Sequence, residues 1–138
     1  MAVGLKLGSI TDVIGGQDFF HAFFSTVSYY LEPNGWGSRF PVLLNKLYQG
    51  KLGSEDADLA LKELETIYAE LKKYPPDKVI WDIENMEAKP PWGDSISSDI
   101  TDLSNYFVTS TGRDLIGVLK ECLEELRDKG GLLEIISI

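Results

Sequence analysis

Carboxylates are concentrated in the middle of this sequence, where pairs of them could transfer protons or hold Mg²⁺ or Ca²⁺. With one tryptophan they form the set of candidate functional residues: Asp82, Glu84, Glu87, Trp92, Asp94, Asp99 and Asp102. Their spacing does not match the calcium loop D-x-[DN]-x-[DN]-G, and the H-E-x-x-H, G-x-S-x-G and P-loop motifs are absent. The sequence therefore favours a surface that binds a partner over a catalytic or metal site.

Trp92 is the predicted anchor of this acidic surface. Pro90 and Pro91 precede it, fix two φ angles and stiffen the loop, so the loop should lose little entropy on binding. Tryptophan is also among the residues most enriched in interface hot spots. The competing interpretation places Trp92, like Trp81, in the core and leaves the carboxylates as solvated loop residues or helix caps. The sequence leaves both open.

The single histidine and the single cysteine give little support to other chemistry. His21 and Cys122 together supply neither a disulfide nor a Cys/His zinc cluster, so we expect no metal, no cofactor and a reducing compartment. Cys122 lies in an apolar helical stripe and is predicted to be a small buried hydrophobic residue. A lone histidine such as His21 rarely suffices for catalysis, and no functional role is predicted for it.

The charge balance limits the classes of partner. The 138 residues include 22 acidic and 13 basic side chains, a formal net charge of −9, which argues against binding nucleic acid phosphates. The same charge would speed association with a basic protein. Neither a signal peptide nor an apolar run long enough to span a bilayer is evident, so we expect a cytoplasmic protein without a membrane partner.

Hydrophobic periodicity predicts three main helices and one short helix. The predicted segments are 19–31, 41–48, 54–73 and 114–129. Ser54 is the expected N-cap of the third segment. The buried stripe of that helix is predicted to contain Ala57, Ala60, Leu61, Leu64, Ile67, Tyr68 and Leu71. Its solvated face is predicted to carry Asp58, Glu63, Glu65 and Glu70.

Alternating or β-branched apolar residues predict four strands. These lie near 2–10, 78–84, 104–109 and 132–138, with Thr11–Gly16 as a turn. The fold class is therefore α+β, as a single domain over residues 1–138 with about four strands in one sheet packed against three main helices. The order of the strands and the oligomeric state stay open.

Six short segments, taken in order, carry a family resemblance: SITD, FFHAFF, GWG, VIWDIE, PPWG and DITDLSNYFVTS. From Gly8 to about Thr111, the chain resembles bacterial immunity proteins of polymorphic toxin systems, in particular the immunity protein 70 family. The resemblance implies a protein without catalytic activity. It further implies binding and neutralisation, inside the producing cell, of the toxin domain of a secreted LXG-type protein, often a nuclease.

Two alternatives remain beside this antitoxin hypothesis. A small hydrolase could use two of the clustered carboxylates as acid and base. A non-catalytic adaptor subunit could instead bind through Trp36 and Trp92. The family supplies no catalytic residues to transfer to this chain, so the candidate site residues rest on their chemistry alone.

Overall fold

A computed structural model describes residues 2–93 and 95–138 of the protein. The strands are β1 (Ala2–Leu7), β2 (Ile10–Gly16), β3 (Lys51–Gly53) and β4 (Leu132–Ser137). The main helices are α1 (Gln17–Leu31), α2 (Ala57–Leu71) and α3 (Leu115–Lys129), with a short π-helix at Val42–Leu47. In the described ranges, no helix combines the length and apolarity needed to cross a bilayer.

The four strands form one antiparallel sheet in the order β2-β1-β4-β3. β1 and β2 make a hairpin whose turn contains Gly8, which has a φ of +61° that only glycine adopts readily. β4 then inserts between β1 and the three-residue β3. The predicted α+β class, with four strands and three main helices, is confirmed.

The predicted strand at 78–84 is wrong, because side chains satisfy its backbone in place of a neighbouring strand. The amide of Ile80 donates to Thr26 Oγ1 at 3.0 Å, and the amide of Ile83 donates to Ser25 Oγ at 3.1 Å. The Asp82 carboxylate also accepts from the Glu84 amide at 2.9 Å, a local contact that turns the chain. This segment runs along α1 as irregular structure.

The predicted strand at 104–109 is also wrong, since only one β-bridge forms there, between Val108 and Asp114. Side chains again compete for the preceding backbone: Asn105 accepts from the Asp102 amide at 3.2 Å. Two of the four observed strands were missed. β2 falls on the predicted turn 11–16, and β3 is too short to give a period-two pattern.

α1 is the centre of the core, with ten of its fifteen residues buried. Its four phenylalanines are buried, and Phe23 packs edge-on against Phe107 with ring centroids 5.2 Å apart. Ser25 and Ser28, on another side of the helix, are buried too. The 76–107 segment covers that side, because its backbone hydrogen-bonds to the polar residues of α1.

The centre of the buried stripe of α2 is as predicted, but two residues at its edges are more exposed than predicted. Ala57, Ala60, Leu64, Ile67 and Leu71 are buried, whereas Tyr68 is 39% exposed and Leu61 only half-buried. Ser54 does not cap the helix, since Ser54–Asp56 form a 3₁₀ turn before it.

Two acids of the predicted solvated face of α2 hold the 39–43 region. Glu63 accepts from the amides of Val42 and Leu43, at the start of the π-helix. Burial raises the pKa of Glu63, while these amides favour its ionised form. Glu70 forms a two-pronged ion pair with Arg39, whose hydrogen bond lowers the pKa of Glu70.

Candidate partner-binding site

Trp92 lies at the surface on top of two other aromatic side chains. Its indole N–H donates to the Tyr106 hydroxyl at 2.8 Å, and its ring meets Trp81 edge-on with centroids 5.3 Å apart. Trp81 and Tyr106 are buried, at 8% and 4% exposure, whereas Trp92 remains 41% exposed. Trp92 is therefore held in place by core residues and still offers part of its ring to solvent.

Asp82 belongs to a chain of hydrogen bonds that joins three parts of the fold. Its Oδ1 atom lies 3.2 Å from His21 Nε2 on α1, and His21 Nδ1 lies 2.6 Å from the hydroxyl of Tyr48. An imidazole protonated at Nε2 satisfies both contacts, because it donates to Asp82 and accepts from Tyr48. The chain fixes the position of Asp82, although 35% of its side chain stays exposed.

An open cleft of about 740 Å³ lies beside this chain of hydrogen bonds, and we call it the α1 cleft. Its lining consists of Gln17, Asp18, His21, Tyr48, Trp81, Asp82, Glu84 and Ala88. Trp81 connects the cleft to the surface around Trp92, because its ring takes part in both. The cleft combines aromatic walls with the carboxylates of two candidate residues.

Asp99 and Asp102 belong to a separate loop near the end of α2. The Asp102 carboxylate accepts from Ser104 and from the Thr101 hydroxyl, and Asn105 Nδ2 donates to the Asp99 carbonyl. Partial burial opposes ionisation of Asp102, but these hydrogen bonds and the charge of Lys72 keep its pKa below the ordinary value. Asp102 thus organises its own loop.

The remaining candidates are exposed. Glu84 and Glu87 are both open to solvent, and their amides close short turns onto Asp82 and Asn85. Asp94 lies outside the described residues. The structure therefore brings Asp82 and Glu84 together, keeps Asp99 and Asp102 in another loop, and places Trp92 against Trp81 and Tyr106.

The arrangement gives little support to nucleophilic chemistry. Burial, with the nearby carboxylates of Glu84 and Asp82, raises the pKa of the Tyr48 phenol, which disfavours the phenolate. Cys122 is buried as predicted, and burial with a hydrogen bond to Asp12 raises its pKa to about 12. Among the residues that the structure describes, no three side chains of Asp, Glu, His or Cys are grouped as a metal site requires.

Sequence reasoning did not associate His21, Tyr48 and Asp18 with the acidic segment. His21 and Asp82 are 61 positions apart, and Tyr48 is 27 positions from His21. No periodicity or motif connects residues at such separations, because their contact depends on how the 76–107 segment folds over α1. The sequence itself shows only that His21 and Tyr48 are polar residues in or beside largely apolar segments.

Comparison with known proteins gives one result. No curated protein and no solved structure matches the chain significantly. The family model described as Immunity protein 70 matches residues 5–135, which is nearly the whole chain. Members of this family are typically non-catalytic and bind a cognate toxin. The chain therefore belongs to the immunity protein 70 family and is an immunity protein of a polymorphic toxin system.

Proposed function

We propose that this protein neutralises its cognate toxin inside the producing cell by binding the toxin domain directly. The observation that carries the proposal is the family match over residues 5–135. We further propose that the toxin is a nuclease borne by an LXG-type secreted protein. A nuclease has a basic groove for phosphates, and an inhibitor with a net charge of −9 is complementary to such a groove.

The proposed interface is centred on Trp92 and includes the carboxylates of Asp82, Glu84 and Glu87. The anchor is preorganised, because Tyr106 and Trp81 hold the Trp92 ring before any partner arrives. Exposed Glu84 and Glu87 lie within eight residues of it and would meet basic groups at the edge of the contact. Asp94, Asp99 and Asp102 complete the proposed interface, on the ground of their negative charge.

Binding kinetics at two ionic strengths test this interface. Truncation of a central anchor by Trp92→Ala should cost upward of ~2 kcal/mol of binding free energy, mostly as faster dissociation. The double variant Glu84→Gln with Glu87→Gln should mainly slow association and weaken its dependence on salt. Leu59→Ala, which truncates a 53% exposed side chain on α2, is the matched control.

Circular dichroism and thermal melting establish that each variant is folded. Because Trp92 also packs on Trp81, Trp92→Phe provides a milder second truncation that keeps an aromatic ring at this position. Unchanged association and dissociation rates in the folded variants would remove this surface from the interface. The search would then move to Trp36 and the outer faces of the helices.

A further inference from the structure

The α1 cleft is the part of the proposed interface that is shaped to receive a side chain. Its walls include the rings of Tyr48 and Trp81 and the small side chain of Ala88. The cleft is open to solvent, so a side chain of a partner can reach these walls. Trp81 also contacts Trp92, so the cleft continues the surface that Trp92 begins.

The charges around this cleft have one sign. Asp18, Asp82 and Glu84 line it, and none of its described lining residues is a lysine or an arginine. Elsewhere the protein pairs acids with bases, as in Glu70 with Arg39 and Asp56 with Lys46. The cleft therefore lacks an internal cation for these carboxylates and is complementary to a positive group.

Hydrogen bonds already orient the Asp82 carboxylate for binding a positive group. Its Oδ1 atom accepts from His21 and from the Glu84 amide, while Oδ2 has no hydrogen-bond donor among the described residues. His21, held in turn by Tyr48, acts as a positioning residue for Asp82. A carboxylate that is already oriented loses less entropy when it binds a partner.

We propose that the α1 cleft is the docking site for an arginine side chain of the toxin domain. A guanidinium can donate to Asp82 Oδ2 through one N–H and to the Glu84 carboxylate through another, while its plane lies against an aromatic ring, and this cleft provides these groups. A lysine ammonium is a compact charge that cannot stack on an aromatic ring as a planar guanidinium does. The inference rests on the proposed function, because it names the toxin group that the antitoxin surface receives.

The test begins with the affinity of this protein for its purified cognate toxin domain. The cleft variant Asp82→Asn with Glu84→Gln should raise the Kd at least about tenfold. The control Asp58→Asn with Glu65→Gln removes the same charge from the exposed face of α2 and should leave the Kd unchanged. Asp18→Asn, at the exposed start of α1, is a second cleft variant in case the first is poorly folded.

A photo-crosslinker at Ala88 identifies the toxin segment that enters the cleft. If that segment contains an arginine, its change to glutamine in the toxin should also weaken binding. When the toxin variant is combined with the cleft variant, the loss of binding free energy should be clearly smaller than the sum of the two separate losses. Such a difference is expected for residues in direct contact.

The outcomes separate the two proposals. Failure of the wild-type protein to bind the toxin domain overturns the proposed function and this inference with it. Normal wild-type binding, with equal Kd values for the cleft variant and the control, overturns the inference alone. A crosslinked segment without arginine, or strictly additive losses, likewise overturns it.

Discussion

Glu32 shows how a single buried residue holds a whole loop in place. The side chain is 3% exposed, and its carboxylate accepts from the amides of Gly37, Arg39 and Phe40 at 2.8–3.0 Å. The loop so fixed carries Trp36, whose ring stacks on His21 with centroids 6.2 Å apart. Glu32 therefore supports the residue that positions Asp82, at a distance from the candidate interface itself.

Removal of this carboxylate should destabilise the fold. Glu32→Ala leaves three amides without their acceptor, so we expect a loss of ~2–4 kcal/mol in the free energy of unfolding. Glu32→Gln keeps one acceptor oxygen and should cost less. Urea unfolding measures both, with the exposed Glu55→Ala as control. Equal stability of Glu32→Ala and the control would show that the loop is held by other contacts.

At the same scale, sequence reasoning identified parts of the candidate site. Trp92 is predicted as an anchor because two prolines and an acidic context are local features; the structure finds its ring packed on core residues and 41% exposed, and its role as an anchor stays a prediction. The partners of Asp82 on α1 and the π-helix could not be identified, since they are distant in sequence. Whether a given carboxylate binds a partner or shapes its own loop, as Asp102 does, depends on hydrogen bonds that sequence does not show.

At the scale of elements, helices were predicted well and strands poorly. A stripe of apolar residues at helical spacing extends over fifteen residues in α2 and in α3, which leaves little ambiguity. The segments 78–84 and 104–109 contain β-branched and aromatic residues, but they use those side chains to cover α1. Residues of high strand propensity suit any half-buried surface, and these two segments provide such a surface without forming a sheet.

The helical stripes make a prediction about stability. Leu64 on α2 and Leu119 on α3 are 2% and 0% exposed, so their truncation to alanine should each cost ~2–5 kcal/mol through the cavity that remains. Glu65→Ala, next to Leu64 on the exposed side of α2, should be nearly silent. Chemical denaturation compares the three variants. Similar losses in all of them would contradict the assigned helix faces.

For the whole molecule, the main structural fact is that α1 is covered on two sides. The β1–β2 hairpin and α2 pack against one side, while the largely irregular 76–107 segment covers the other through hydrogen bonds to Ser25 and Thr26. In the sequence, that segment also contains Trp92 and all six candidate carboxylates. The proposed antitoxin surface therefore lies on the part of the chain with the least regular secondary structure, next to the core helix.

Co-expression with the cognate toxin domain tests the immunity function most directly. We expect cells that produce the toxin domain alone to lose viability, and cells that also produce this protein to grow normally. A folded variant that combines Trp92→Ala with Glu84→Gln, produced at the same level, should protect less well. Equal loss of viability with and without the wild-type protein would contradict the account.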